Sequence, residues 1–349
     1  MDKLALLQSE QAFPFVDYMK SAGMPAAKYL EQAKLPVSLL NHETGLIVER
    51  QLWELLDIVS EQEDLHDFGL KVGLEINIQQ QLNGMMPRLM AQPTLLGVLQ
   101  AFCLMVNEES SDAQFWLAPS NHPDRHWFCR AGVAGINVGE RDAELYTLMF
   151  MIKLVQLLTG EHWQPDSIQL KTGDERGLSA SEIFKSNNFE LNQSSTAIEI
   201  PSYFVNKQFF GEFNKLDLSK EINGPIDSNP IATDRLSESL KEVLSLYLSD
   251  ERFDLEHAAE LLGVSSRTLQ RQLAKESTSY AQLVDAIKFN SAIPLLKSKS
   301  YKLVDIAFDL GYSDPAHFSR AFKRWAGITP REFRRNLNEI QPETLESAI

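Results

Sequence analysis

The sequence predicts a mixed α+β domain over residues 1–215, followed by an all-helical domain over residues 235–337 in which two helix-turn-helix units are joined by a linker helix. Three observations predict it. The apolar period changes from helical spacing to short aromatic runs after about residue 110 and returns to helical spacing beyond 235. A stretch over 211–234, rich in Asn, Gly, Pro, Asp and Ser, separates the two halves, with the linker itself placed at 216–234. One pattern of alanine, glycine and apolar residues then occurs twice in the last hundred residues.

Residues 1 to about 75 read as helical, because 51–59 (Gln-Leu-Trp-Glu-Leu-Leu-Asp-Ile-Val) sets apolar side chains three and four apart. Pro25 and Pro36 punctuate this region, since proline disfavours helix in the residue before it. A helix is expected over 94–106, capped by Thr94 after Pro93. Segments 113–118 and 125–130 are short and aromatic, with Pro119 to Asp124 between them, and read as a hairpin. A long helix follows from Glu140 to Thr159, with Gly160 as its breaker. Further strands are expected at 167–171, 189–191 and 197–201.

In the second domain Asp254 can cap a helix that Gly263 ends, and Ser265 or Ser266 can cap the next one, 267–275. Ala259 allows a close helix crossing, while Val264, Leu269 and Leu273 can pack inward. Ser266, Arg267, Gln270 and Arg271 are left facing outward. Some 49 residues later Ala307 and Gly311 repeat the places of Ala259 and Gly263, and Phe318 and Phe322 those of Leu269 and Leu273, with one gap. Arg320 repeats the place of Arg271, on a second recognition helix over 313–325. Residues 280–296 form the helical strut between the units, roughly 25 Å at 1.5 Å per residue. In such units the second helix lies in a major groove, where Arg and Gln can bond guanine and adenine in bidentate fashion.

Charge supports the same division. The chain carries a net charge of −15, which taken alone argues against a polyanionic partner. Residues 1–230 hold 17 Lys and Arg against 31 Asp and Glu, whereas residues 262–335 hold 13 against 6, a local excess of +7. The tail at 338–349 is acidic. Positive charge is therefore concentrated where the repeated motif lies, as expected of a nucleic-acid-binding module beside an acidic domain. The alternative is an enzyme or metabolite-binding protein whose duplicated helical domain acts on a partner rather than on DNA, but a protein-interaction bundle gives no reason for Arg267, Arg271, Arg320, Lys323, Arg324, Arg331, Arg334 and Arg335 to gather in and just after the two recognition helices.

Other classes are disfavoured. Two cysteines, Cys103 and Cys129, make neither a disulfide framework nor a four-thiolate zinc site. His122 and His126 are four apart across a turn with no third ligand, so no metal is expected. No nucleophile elbow, phosphate loop or zinc-protease pair occurs, so neither catalysis nor a cofactor is expected. The apolar run at 145–158 is interrupted by Lys153 and Gln156 and is short of a membrane span, and no secretory signal is visible. A cytoplasmic protein is expected.

The second domain strongly resembles the AraC/XylS family of bacterial transcription regulators. The resemblance is densest at Ile306-Ala307, Gly311-Tyr312, Phe318-Ser319-Arg320-Ala321-Phe322, Gly327-Ile328-Thr329-Pro330 and Phe333-Arg334. More weakly, the first domain looks like the arabinose-binding-type sensor domain of the branch resembling ornithine-utilisation regulators. The resemblance implies double-stranded promoter or operator DNA as a partner, RNA polymerase as another, and an unknown small-molecule effector. Two positions depart from the pattern: Ser277, where glycine is usual, and Pro294 within the linker helix, where proline removes a backbone bond. The repair methyltransferases that share this architecture need a cysteine cluster that two cysteines cannot supply.

The candidate DNA-contacting residues are Ser266, Arg267, Gln270, Arg271, Ser313, Asp314, His317, Arg320, Lys323 and Arg324. Trp116, His126, Trp127 and Cys129 are candidates to line an effector pocket, with a hairpin packed on a helix as the alternative. Leu145, Met149, Ile152, Gln156 and Leu157 form a stripe that suits either a homodimer interface or the core.

Overall fold

A computed structural model describes residues 5–82, 84–109, 114–131, 138–159, 163–174, 178, 182–184, 187–205, 235–248, 254–298 and 300–339. Gly160, the stretch at 211–234 and the tail from 340 lie outside the described residues. The chain divides into two compact units, one of residues 1–35, 39–42 and 47–232, the other of residues 36–38, 43–46 and 233–349.

The first unit begins with β1 (Leu6–Gln8), α1 (Phe13–Ser21) and α2 (Ala26–Gln32), and β1 pairs with β2 (Leu46–Val48) in a two-stranded sheet. These strands correct the expectation of an all-helical start: three residues are too few to show alternation, and β2 is buried throughout. Next come α3 (Glu49–Gln62), α4 (Phe68–Glu75), α5 (Ile78–Gln81), α6 (Met86–Met90) and α7 (Leu95–Glu109). Thr94 starts α7 as expected, its Oγ1 accepting the Gly97 N–H at 3.1 Å.

After α7 come β3 (Gln114–Pro119), β4 (Arg125–Ala131), α8 (Glu140–Thr159), β5 (Ser167–Gln169), β6 (Asn188–Glu190), β7 (Thr196–Pro201) and the short α9 (Ser202–Val205). The strands form one sheet in the order β3-β4-β7-β5-β6, with β5 and β6 parallel and the other described pairs antiparallel. The β3–β4 register sets Phe115 opposite Arg130 and Leu117 opposite Phe128, so these four share one face. Trp116 opposite Cys129 and Ala118 opposite Trp127 share the other.

Helix α8 runs through the core. Leu145, Met149 and Ile152 are at most 3% exposed and cluster with Phe102, Phe115, Phe128 and Ile198. The stripe considered for a dimer is thus interior packing at those three positions. Helix α4 lies close on α8 because its facing residues are glycines. A Cβ on Gly69 would fall 1.8 Å from the Asp142 carbonyl oxygen, and one on Gly73 would fall 2.6 Å from Met149 Cβ. Asp142 Oδ1 also accepts the Gly69 N–H at 2.9 Å, although burial raises its carboxyl above the usual range.

The second unit contains α10 (Leu236–Ser245), α11 (Leu255–Leu261), α12 (Ser266–Lys275), α13 (Tyr280–Lys297), α14 (Leu303–Asp309), α15 (Pro315–Ala326) and α16 (Pro330–Glu339). Asp254 caps α11 at the His257 N–H, 2.8 Å away, and Ser265, not Ser266, caps α12 at the Thr268 N–H, 3.2 Å away. The two turns are built alike. Val264 N–H donates to the Ala259 carbonyl and Gly263 N–H to Glu260, each at 3.0 Å; Tyr312 donates to Ala307 and Gly311 to Phe308, each at 2.9 Å. Gly263 and Gly311 have φ of +62° and +70°, where a side chain is strained.

The same motif ends α12, with Thr278 N–H on the Leu273 carbonyl and Ser277 N–H on Ala274. There Ser277 occupies the left-handed position at φ +60°, which explains why glycine suits that place. Helix α13 starts with a capping box between Ser279 and Gln282 and continues past Pro294 to Lys297, so the proline does not end it. Phe318, Phe322, Ile306, Leu310 and Leu296 form the core of the second half, with Trp325 packed partly buried against it.

Candidate nucleic-acid interface and effector cavity

Helices α12 and α15 each bury one narrow face and leave the other open. Leu269 and Leu273 are buried on α12, Phe318, Ala321 and Phe322 on α15. Spacing of three and four then puts Arg267, Gln270 and Arg271, and likewise His317, Arg320 and Lys323, on the exposed sides. Among the described residues the Arg267, Arg271 and Arg320 guanidinium groups meet no hydrogen-bond or ion-pair partner. A fully hydrated arginine held by a rigid helix is free to take a phosphate or a base edge at little reorganisation cost.

Two of the other candidates, Asp314 and Arg324, are engaged within the protein. Asp314 spends its carboxylate on the Ala316 N–H at 2.9 Å as the cap of α15. Ser313 is exposed, and Ser266 is half-buried in the first turn of α12. Arg324 points to the linker helix, its Nη2 lying 3.0 and 2.9 Å from the two oxygens of Asp285. That pair joins residues 39 apart, and nothing in the local sequence signalled it. Arg334 donates to the Leu296 carbonyl at 3.1 Å, and Thr329 with Glu332 caps α16. The segment Gly327-Ile328-Thr329-Pro330 therefore turns and caps the chain.

The first unit contains a cavity of about 160 Å³. Phe15, Leu52, Trp53, Phe102, Phe115 and Phe150 supply apolar walls, Glu49 and Arg130 supply charge, and Tyr146, Thr147, Gln8, Gln11 and Gln81 supply neutral polar groups. Trp116, His126, Trp127 and Cys129 do not line it. The pleat explains three of them: Trp116, Trp127 and Cys129 occupy the face of the hairpin opposite Phe115 and Arg130. His126 shares the face of Arg130 but lies at the other end of β4, its Nδ1 3.2 Å from Ser202 Oγ. Cys129 is buried, and burial pushes its thiol up to about 11, as it pushes that of Cys103 up to about 12. Neither thiol is a ready nucleophile. Among the described residues no cluster of His, Cys, Asp and Glu could hold a metal ion, and no helix is long and apolar enough to cross a membrane.

Comparison with known proteins places both units. Residues 23–205, more than half of the chain, match the family model of the arabinose-binding domain of AraC transcription regulators, N-terminal. The chain belongs to the AraC family of transcription regulators. Residues 258–336 of this AraC-family protein match a helix-turn-helix domain model. Curated relatives include the ornithine utilization regulator of Pseudomonas aeruginosa, 38% identical over 81 residues, which are 23% of this chain and 24% of that protein. The HTH-type transcriptional regulator VqsM of the same species is 36% identical over 102 residues, 28% of this chain and 31% of that one. VirS of Mycobacterium tuberculosis is 33% identical over 99 residues, 28% of this chain and 29% of that one. The chain thus spans about a quarter to a third of the length of these relatives.

Proposed function

We propose that this AraC-family protein is a cytoplasmic, sequence-specific regulator that binds promoter DNA through α12 and α15 and is controlled by a small molecule held in the first unit. The observation that carries the DNA reading is the duplicated turn: the same pair of backbone hydrogen bonds at Ala259–Val264 and Ala307–Tyr312 sets two helices with exposed, unpartnered arginines. Arg267 and Gln270, with Ser266 and Arg271 beside them, read base edges. Arg320, Lys323 and Arg324 act mainly on phosphates, with Ser313, Asp314 and His317 near the start of α15. RNA polymerase and a second copy of the chain are further partners in this reading, which assigns no enzymatic step.

Footprinting and genome-wide binding with the full-length protein test it. A protected operator whose affinity falls steeply with salt is the expected result. Absence of any protected sequence, or a flat salt response, would count against the assignment.

A further inference from the structure

Arg130 is 7% exposed, yet among the described residues its guanidinium meets no hydrogen-bond acceptor and closes no ion pair within 4.0 Å. What it does meet is the Trp53 ring, 5.7 Å to the centroid. Burial holds it below the usual arginine range, opposed by the charges of Glu49, Glu144 and Glu140, with that of Glu49 the largest. Glu144 is occupied, accepting from the Lys171 and Thr172 N–H groups and from Thr196 Oγ1 at 2.6–3.0 Å. Glu49 is 2% exposed and lines the same cavity as Arg130. The Tyr146 hydroxyl lines it too, buried and without a hydrogen-bond partner.

A buried guanidinium with open donors calls for a planar acceptor pair such as a carboxylate. A bare carboxylate would add a second negative charge beside buried Glu49, which low-dielectric surroundings penalise. A ligand that also carries an ammonium group cancels that charge. Phe15, Leu52, Phe102, Phe115 and Phe150 make a large part of the remaining wall apolar and suit an apolar body on the ligand, while Gln8, Gln11, Gln81 and Thr147 also line it. A cavity of about 160 Å³ holds on the order of ten non-hydrogen atoms.

Resting on the effector-domain reading above, we propose that the cavity binds an α-amino acid with an apolar side chain, its carboxylate on Arg130, its ammonium toward Glu49 and its side chain against the phenylalanines.

Titration calorimetry on the full-length protein with L-valine, L-leucine, L-isoleucine, L-methionine, L-phenylalanine and L-tryptophan tests this. At least one should bind, and its analogues lacking either the amine or the carboxylate should bind about tenfold or more weakly. Glu49→Gln should weaken the amino acid by a similar factor and leave the analogue without the amine unchanged; Arg130→Met should lose both. If no member of the panel binds the wild-type chain, or the analogue without the amine binds as tightly, the proposal is overturned. The wild-type comparison stands even where a variant fails to fold. DNA binding is measured separately: a chain that binds DNA but no amino acid loses only this proposal, and one that binds the amino acid but no DNA loses the regulatory reading instead.

Discussion

Replacing Asp285 by alanine should tighten DNA binding, although Asp285 lies on the linker helix α13 and not on a recognition helix. Arg324 reaches back to both Asp285 oxygens, so a phosphate must compete with a carboxylate for Nη2 or use the other N–H groups. The side chains are 65% and 38% exposed, which makes this a surface pair worth at most about 1 kcal/mol to the fold. Removing Asp285 should therefore lower the melting temperature of the second unit by at most about 8 °C while freeing one cation, giving up to about fivefold tighter binding to any duplex. Removing Arg324 instead should weaken all duplexes about equally and lower the slope of log K against log salt by about 0.9, one phosphate's worth. The assay is fluorescence anisotropy on a mixed-sequence duplex across a salt series, which needs no knowledge of the operator. In the double variant the gain from Asp285→Ala should vanish. If Asp285→Ala weakens binding, or keeps its gain without Arg324, the pair does not restrain a phosphate contact and the argument fails.

Arg267→Ala should cost about 1–3 kcal/mol on the preferred operator and relax preference at one or two base pairs, read on a panel of single-base operator variants; equal weakening of every sequence would reassign Arg267 to the backbone. Ser277→Gly should stabilise the second unit by about 1 kcal/mol in denaturant titration, since a non-glycine residue at φ +60° is strained; an unchanged midpoint would refute the strain. Glu276 accepts the Leu236 and Ser237 N–H groups, each at 2.9 Å. Burial alone would raise its carboxyl, but those bonds more than offset this and hold it below the usual 4.5. Its contribution is then complete above about pH 4.5 and is lost as pH falls through the lower folded value. Glu276→Gln should lower stability by about 0.5–1 kcal/mol at neutral pH and by less in acid, as measured by urea unfolding at several pH values.

What the sequence made legible follows from length and period. Helix α8 and the hairpin strands carry enough residues to show their spacing, and the alanine-glycine pairs at 259/263 and 307/311 mark turns whose hydrogen bonds the structure repeats. Strands β1 and β2, three residues each, carry no readable period. The effector candidates lie away from the cavity for a different reason. Alternation along 125–131 tells which residues share a face, not which face lines the cavity, and the tryptophans lie on the face opposite Phe115 and Arg130. Arginine is rarely buried, so Arg130 gave no signal until the cavity was seen around it. The link between Arg324 and Asp285 depends on how α15 lies along α13, which no local pattern encodes.

Helix α8 presents Ala143, Tyr146, Thr147 and Phe150 to the cavity. Within the same turns it is fastened twice, by Asp142 to the backbone of α4 and by Glu144 to β7 and to the chain after β5. A molecule that touches Tyr146 therefore touches a helix bonded on both sides. The wall of the cavity, α4 and the ends of β5 and β7 are thus one bonded layer of the first unit rather than separate segments.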